Sequence, residues 1–155
     1  MVGNMLIAQS GGPSMVINQS LVGAVMAAKS SDKIVEIYGA LHGIQGIFNE
    51  DFIDLRAEPD EVLLKVAQTP SSALGSVRRK PTADDCREIF NILAKHNIRY
   101  FFYIGGNDSA ETANIIAQEA ERQAYDMCCF HIPKTIDNDL LCNDHTPGYG
   151  SAGRF

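Results

Sequence analysis

Four short stretches hold residue types that could do chemistry together. The most informative is PKTIDND, Pro133 to Asp139, where a lysine precedes two carboxylates that flank one asparagine. In extended backbone alternate residues share a side, so Thr135, Asp137 and Asp139 would present a hydroxyl and two carboxylates on one face. One carboxylate there can accept a proton from a substrate hydroxyl while the other positions that hydroxyl. Lys134 can neutralise charge on a transferring phosphoryl group, the electrostatic work such reactions mostly need. The same residues also suit an Asx-rich turn with no chemistry, and composition alone favours the turn.

The other three stretches are rich in glycine or in cations. In SGGPS, residues 10–14, Gly11 and Gly12 sit where an apolar run gives way to a helical pattern. Glycine lets backbone approach an anion closely, and a following helix N-terminus favours negative charge; a tight turn needs the same residues. The stretch matches neither the dinucleotide fingerprint nor the P-loop. In GGNDS, residues 105–109, the same arrangement recurs. Asn107 and Asp108 can offer oxygen to a hard cation such as Mg²⁺, and the backbone around Gly106 and the Ser109 hydroxyl can donate to phosphate. Asp108 with Glu111 would equally make a helix cap. In GSVRRK, residues 75–80, the cations Arg78, Arg79 and Lys80 can hold a phosphate or form a solvated basic turn.

The totals bound what these motifs serve. A chain of 155 residues suits one compact domain. With 13 Lys and Arg against 19 Asp and Glu, the net charge of −6 argues against a nucleic-acid partner or an anionic membrane surface. No apolar run approaches the length of a membrane span, and the first residues lack the basic region of a secretory signal, so a cytoplasmic location is expected. Cys86, Cys128, Cys129 and Cys142 form no C-x-x-C pair and read as buried thiols of a reducing compartment. His42, His96, His131 and His145 show no metal-ligand spacing and read as structural.

Elements must bring the motifs together. MLIAQ (5–9), KIVEIYGA (33–40), IRYFFYIGG (98–106) and YDMCCFHI (125–132) read as strands, and their nearly continuous apolar character implies burial on both faces. Helical patterns follow from Met15 to Lys29 with Ser14 as N-cap, over 59–69 beginning near Pro59, from Thr82 to Asn97 with a Thr82–Asp85 capping box, and after Gly106 with Asn107 or Asp108 as cap. GALHGIQGIFN (39–49) reads as loop because of its glycines. The expected fold is α/β, a doubly wound, mostly parallel, Rossmann-like sheet with helices on both faces. Such folds bind ligands beyond the carboxyl ends of the strands, where SGGPS, GGNDS and PKTIDND all fall.

Together, and in this order, SGGPSMVIN, GSVR, YIGGNDSA and PKTIDND resemble segments of the phosphofructokinase family, and the similarity spans essentially the whole chain. The resemblance implies magnesium-assisted phosphoryl transfer to the 1-hydroxyl of fructose 6-phosphate. By position Asp137 matches the family's base, and Thr135, Ile136 and Asp139 match its surroundings at the sugar phosphate. Gly11, Gly12 and Arg78 match positions that hold the phosphoryl donor, joined by Gly106 and Ser109. ATP-dependent members usually carry glycine where this chain has Asp108 and Lys134. A carboxylate opposes the longer nucleotide, and an ammonium can hold a terminal phosphate. Asp108 and Lys134 therefore join Asp137 as the residues expected at the chemistry, with pyrophosphate as donor in a reversible glycolytic reaction.

Two departures accompany the resemblance. The family's metal-associated aspartate falls on Asn107, a neutral amide and poorer ligand, so the metal contact could pass through water, pyrophosphate oxygens or Asp108. The family's MGR segment, which contacts the sugar phosphate, is absent, which suggests that the domain and its site are incomplete and that the chain is a truncated form or a piece of a longer enzyme. The intact enzyme is expected to be a homo-oligomer. The alternatives are an ATP-dependent 6-phosphofructokinase, a relative of the NAD or lipid kinases, and a non-catalytic phosphate- or pyrophosphate-binding fragment.

Overall fold

The structure, a computed structural model, describes residues 1–155. Strand β1 (Gly3–Gln9) leads into α1 (Ile17–Lys29), and β2 (Ile34–Ala40) into α2 (Ile44–Asn49). A short β3 (Phe52–Asp54) precedes α3 (Asp60–Ala67) and α4 (Ala83–Lys95). Then come β4 (Ile98–Gly105), α5 (Asn107–Arg122), β5 (Cys128–Pro133) and a terminal α6 (Tyr149–Arg154).

The five strands form one sheet in the order β3-β2-β1-β4-β5. β1 pairs in parallel with both β2 and β4, and β4 with β5, while β3 runs antiparallel against β2. Alternation along β1 separates two cores. Met5 and Ile7 pack with Ile17, Leu21 and Val25 of α1 and Leu63 of α3, whereas Leu6 and Ala8 pack with Ile44, Ile89 and Ile116 of α2, α4 and α5. Burial on both faces accounts for the unbroken apolar strands. It also leaves the carboxyl ends of β1, β4 and β5 as adjacent open ends, because β1 and β4 are neighbours and β5 follows β4.

Several local expectations need correction. The glycine-rich 39–49 stretch contains helix α2 rather than loop alone. Gly43 sits at its N-cap with φ 62°, and a Cβ on Gly46 would collide with the Leu41 carbonyl oxygen. Those glycines permit close packing inside the element instead of breaking it. Ser14 does not cap α1, whose N-cap is Val16 without a side-chain bond. Neither Asn107 nor Asp108 caps α5; Gly106 stands there, again with no side-chain cap. Cys142 is exposed and Cys128 and Cys129 are only partly buried, so of the four free thiols Cys86 alone is fully buried. Strand β5 starts three residues later than the apolar pattern suggested, the Tyr125 hydroxyl being drawn off to donate to the Ile98 carbonyl at 3.1 Å.

The Thr82 capping box is fully formed. Thr82 Oγ1 accepts from the Asp85 N–H at 3.1 Å, and Asp85 accepts from the Thr82 N–H at 2.8 Å. The Thr82 N–H and hydroxyl, which both donate to the carboxylate, hold Asp85 below the usual carboxylate pKa more than the nearby Arg79 does. Thr82→Ala should therefore lower stability by about 1 kcal/mol, read as a shifted urea midpoint at unchanged slope. An unchanged midpoint would show that the cap contributes nothing.

Candidate functional site

The ends of β1, β4 and β5 border a cleft of about 600 Å³. The SGG turn contributes Gly12, the GGN turn Gly105, Gly106 and Asn107, and the segment after β5 Lys134, Thr135, Ile136, Asp137 and Asp139. Arg78 reaches in from the loop between α3 and α4. Three motifs far apart in sequence thus meet because their strands are neighbours in the sheet.

One side of the cleft is cationic. Lys134 Nζ donates to the Gly12 carbonyl at 2.7 Å. A Cβ at Gly11, where φ is 79°, would stand 3.1 Å from that Nζ, and a Cβ at Gly12 would stand 3.2 Å from Arg78 Nη2. Glycine here admits both cations against the turn. Burial, and then the Arg78 guanidinium, pull the Lys134 pKa below the ordinary ammonium value, with Asp137 opposing. Neither cation belongs to any of the eight ion pairs in the chain, so neither has a carboxylate within 4.0 Å, although Asp137 acts on Lys134 from farther off. The first turns of α1 and α5, both without a side-chain cap, add the positive ends of two helices through Val16 and Gly106 in the wall. Two cations and two helix N-termini make a place for a compact, multiply charged anion.

The RRK cluster divides three ways. Only Arg78 lines the cleft. Arg79 pairs with Asp85 at 3.0 Å and stacks over Phe48, and Lys80 turns to Glu111 at 2.8 Å and to Asp108 at 3.5 Å.

The other side carries the carboxylates. The 133–139 segment is not extended as the alternation argument assumed. It bends at Ile136 and Asp137, and Asn138 takes the left-handed conformation with φ 57°. Thr135 Oγ1 accepts from the Asp137 N–H at 3.0 Å, and Asn138 Oδ1 accepts from the Thr146 N–H at 2.8 Å. Thr135, Asp137 and Asp139 nonetheless all face the cleft. The turn and the cleft-facing segment are the same object.

Three expected residues lie outside this wall, Gly11 lining a neighbouring pocket with His42 and Ser76. Asp108 is outside the wall, exposed on α5 and leaning on Lys80. Ser109 is 3% exposed, and its hydroxyl sits directly under Gly105, where a Cβ would collide with it. Its N–H already donates to the Gly106 carbonyl at 3.0 Å, so Ser109 packs the turn and does not reach the cleft.

The cleft also contains residues that the sequence reading passed over. His131, read as structural, lines it together with Pro133, two residues along the same strand face. The shared alternation with Pro133 was the available signal. Ser14, read as a cap, places an unpartnered hydroxyl at the wall. Leu140, Pro147 and Gly148 close the far side, held by the Asn138–Thr146 bond and by Ile136 against Gly148. No pattern in the sequence announces that return of the chain.

Comparison with known proteins bears on the family and the fold. A sequence model of the family described as Phosphofructokinase matches residues 4–154. A pyrophosphate–fructose 6-phosphate 1-phosphotransferase of Rhodospirillum rubrum is 55% identical over 153 residues, which are 99% of this chain and 38% of that protein. One from Halomonas elongata is 39% identical over 158 residues, 98% of this chain and again 38% of the relative. The crystal structure of a pyrophosphate-dependent phosphofructokinase from Nitrosospira multiformis superposes with a TM-score of 0.88 at 40% identity, over 96% of this chain and 38% of that one. The chain thus spans well under half the length of the relatives it matches.

Proposed function

This chain belongs to the phosphofructokinase family, and we propose that it forms the donor-binding, N-terminal domain of an enzyme that transfers a phosphoryl group reversibly between pyrophosphate and the 1-hydroxyl of fructose 6-phosphate. The observation that carries the proposal is the pair of unpaired cations, Lys134 and Arg78, set against the Gly11–Gly12 turn in the cleft that Asp137 also lines.

In this reading a pyrophosphate lies on the Gly11, Gly12 and Gly106 backbone, with Lys134 and Arg78 drawing charge from its oxygens. Asp137 takes the proton of the sugar 1-hydroxyl as that oxygen bonds to the terminal phosphorus. The bridging P–O bond breaks, and orthophosphate leaves. Thr135, Ile136 and Asp139 orient the sugar. Asp108, on the first turn of α5 beside Asn107, acts from outside the cleft by opposing the extra negative charge of a nucleotide tail. The Rhodospirillum rubrum and Halomonas elongata relatives, 55% and 39% identical, are named as pyrophosphate enzymes, and that supports this reading over ATP.

No three His, Cys, Asp or Glu side chains gather here as a metal cage. The donors fit Mg²⁺ in the manner usual at phosphate sites, where the ion keeps waters and binds substrate oxygens with one or two protein groups. Asn107 would hold it through its amide oxygen, or through water with Asp108. Bound there it would supply charge neutralisation for the phosphates. No helix in the chain is long and apolar enough to cross a membrane. The family resemblance supports a cytoplasmic, glycolytic, homo-oligomeric whole enzyme.

Calorimetric titration of the chain with pyrophosphate and with ATP, each with Mg²⁺, tests the donor. Pyrophosphate should bind at least about tenfold tighter, a difference of about 1.4 kcal/mol. Equal or tighter ATP binding would reverse the donor assignment, and binding of neither would remove the site.

A further inference from the structure

The geometry points to His131 as a positioning residue that locks the Gly105–Gly106 peptide so that its N–H faces the donor anion. The inference rests on the pyrophosphate reading of the cleft and adds a residue that this reading does not use.

Two donors converge on one carbonyl. Gly105 O accepts the Lys134 N–H at 2.9 Å, the last rung between β4 and β5. It also sits 2.9 Å from His131 Nε2. A carbonyl oxygen can only accept, so Nε2 must carry the proton and donate. A carbonyl has two lone pairs, and both are now in use.

A trans peptide is planar, with its C=O and N–H opposed. Fixing the Gly105 carbonyl toward β5 therefore turns the Gly106 N–H the other way, toward β1 and its Gly11–Gly12 turn, because β4 lies between β5 and β1. That N–H has no acceptor within the backbone. Gly105 and Gly106 both line the cleft, as does His131. A Gly–Gly peptide is the kind most free to flip, since neither residue has a Cβ to resist rotation. The strand rung alone leaves one lone pair open; the imidazole closes it. Lys134 depends on the same anchor, because its backbone N–H is the other donor and its side chain reaches across to Gly12. One carbonyl thereby sets both the direction of a backbone donor and the root of the ammonium.

Two variants beside the wild-type chain test this: His131→Ala, and His131→Gln, whose amide nitrogen can replace the Nε2 donor. In pyrophosphate calorimetry His131→Ala should bind about tenfold more weakly, the usual effect of one lost hydrogen bond, and His131→Gln should return to within about threefold. Wild-type affinity in His131→Ala, or a His131→Gln as weak as His131→Ala, would overturn the inference. Nitrogen-15 NMR of the neutral imidazole gives an independent readout. The Nε2-protonated tautomer is expected, and an Nδ1-protonated ring would overturn the lock. The Gly106 amide resonance should also move in His131→Ala, and should stay near its wild-type position in His131→Gln. If wild type binds no pyrophosphate, the functional reading fails by itself, while the tautomer and the Gly106 shift still decide the lock. If His131→Ala does not fold, His131→Gln and the wild-type tautomer carry the test.

Discussion

Asp137→Asn should lower kcat by about a thousandfold in the enzyme that carries this segment, within the range for loss of a general base, while leaving pyrophosphate affinity within about twofold. The amide keeps the size of the carboxylate and leaves the Asp137 N–H to Thr135 Oγ1 bond intact, so the turn survives. What disappears is the only property the mechanism needs there, an oxygen that accepts a proton and holds it. Asp139 cannot take over without a shift, because Asn138 between them is pinned in the left-handed conformation by its bond to Thr146. The loss should be equal in both reaction directions, since the same group must return the proton. Steady-state rates forward and reverse, with calorimetry on the same variant, make the check. A variant retaining more than a few per cent of kcat would exclude Asp137 as the base.

The second large effect is on binding. Lys134→Met should raise the pyrophosphate dissociation constant by about fiftyfold, within the 1.5–3 kcal/mol typical of hydrogen bonds to charged groups. Methionine preserves much of the buried stem, so the loss isolates the ammonium. Burial and Arg78 hold the Lys134 pKa down, and a phosphate anion beside it would raise it again. Binding should therefore be accompanied by proton uptake at alkaline pH, which Lys134→Met abolishes. Lys134→Arg should rescue poorly, because a planar, longer guanidinium does not reproduce the compact point charge that Nζ places 2.7 Å from the Gly12 carbonyl. Calorimetry in two buffers of different ionisation enthalpy measures affinity and proton uptake together. Unchanged affinity in Lys134→Met would mean that the clamp serves the turn and not the ligand.

Much of the framework was legible because its signals are local. The strands β1, β2 and β4 announced themselves through unbroken apolar runs, and α4 through its Thr82–Asp85 box. The misread parts have non-local causes. Helix α2 hid behind Gly43 and Gly46, where a Cβ would run into the Gln9 and the Leu41 carbonyl respectively. Strand β3 has only three residues and exists by pairing with β2. Ser14, Asn107 and Asp108 have the chemistry of caps, yet Val16 and Gly106 occupy those positions, which keeps both helix ends open toward the cleft.

The candidate site divides along the same line. Residue types and local spacing by themselves determined the kinds of groups available: glycine turns at strand ends, an ammonium beside carboxylates, and a family resemblance that names a reaction. They also placed SGGPS, GGNDS and PKTIDND at the carboxyl ends of their own strands, because each directly follows an unbroken apolar run. Only the tertiary structure decided which groups meet. The order β1-β4-β5 makes neighbours of three turns, Gly12 being 122 residues from Lys134 yet bonded to it. It sent Arg78 into the cleft while Arg79 and Lys80 went to Asp85 and Glu111, put Ser109 under Gly105, left Asp108 outside, and brought His131 to the Gly105 carbonyl. The physical reason is that sequence dictates backbone preference over a few residues, whereas a side chain's destination depends on what the sheet order sets beside it.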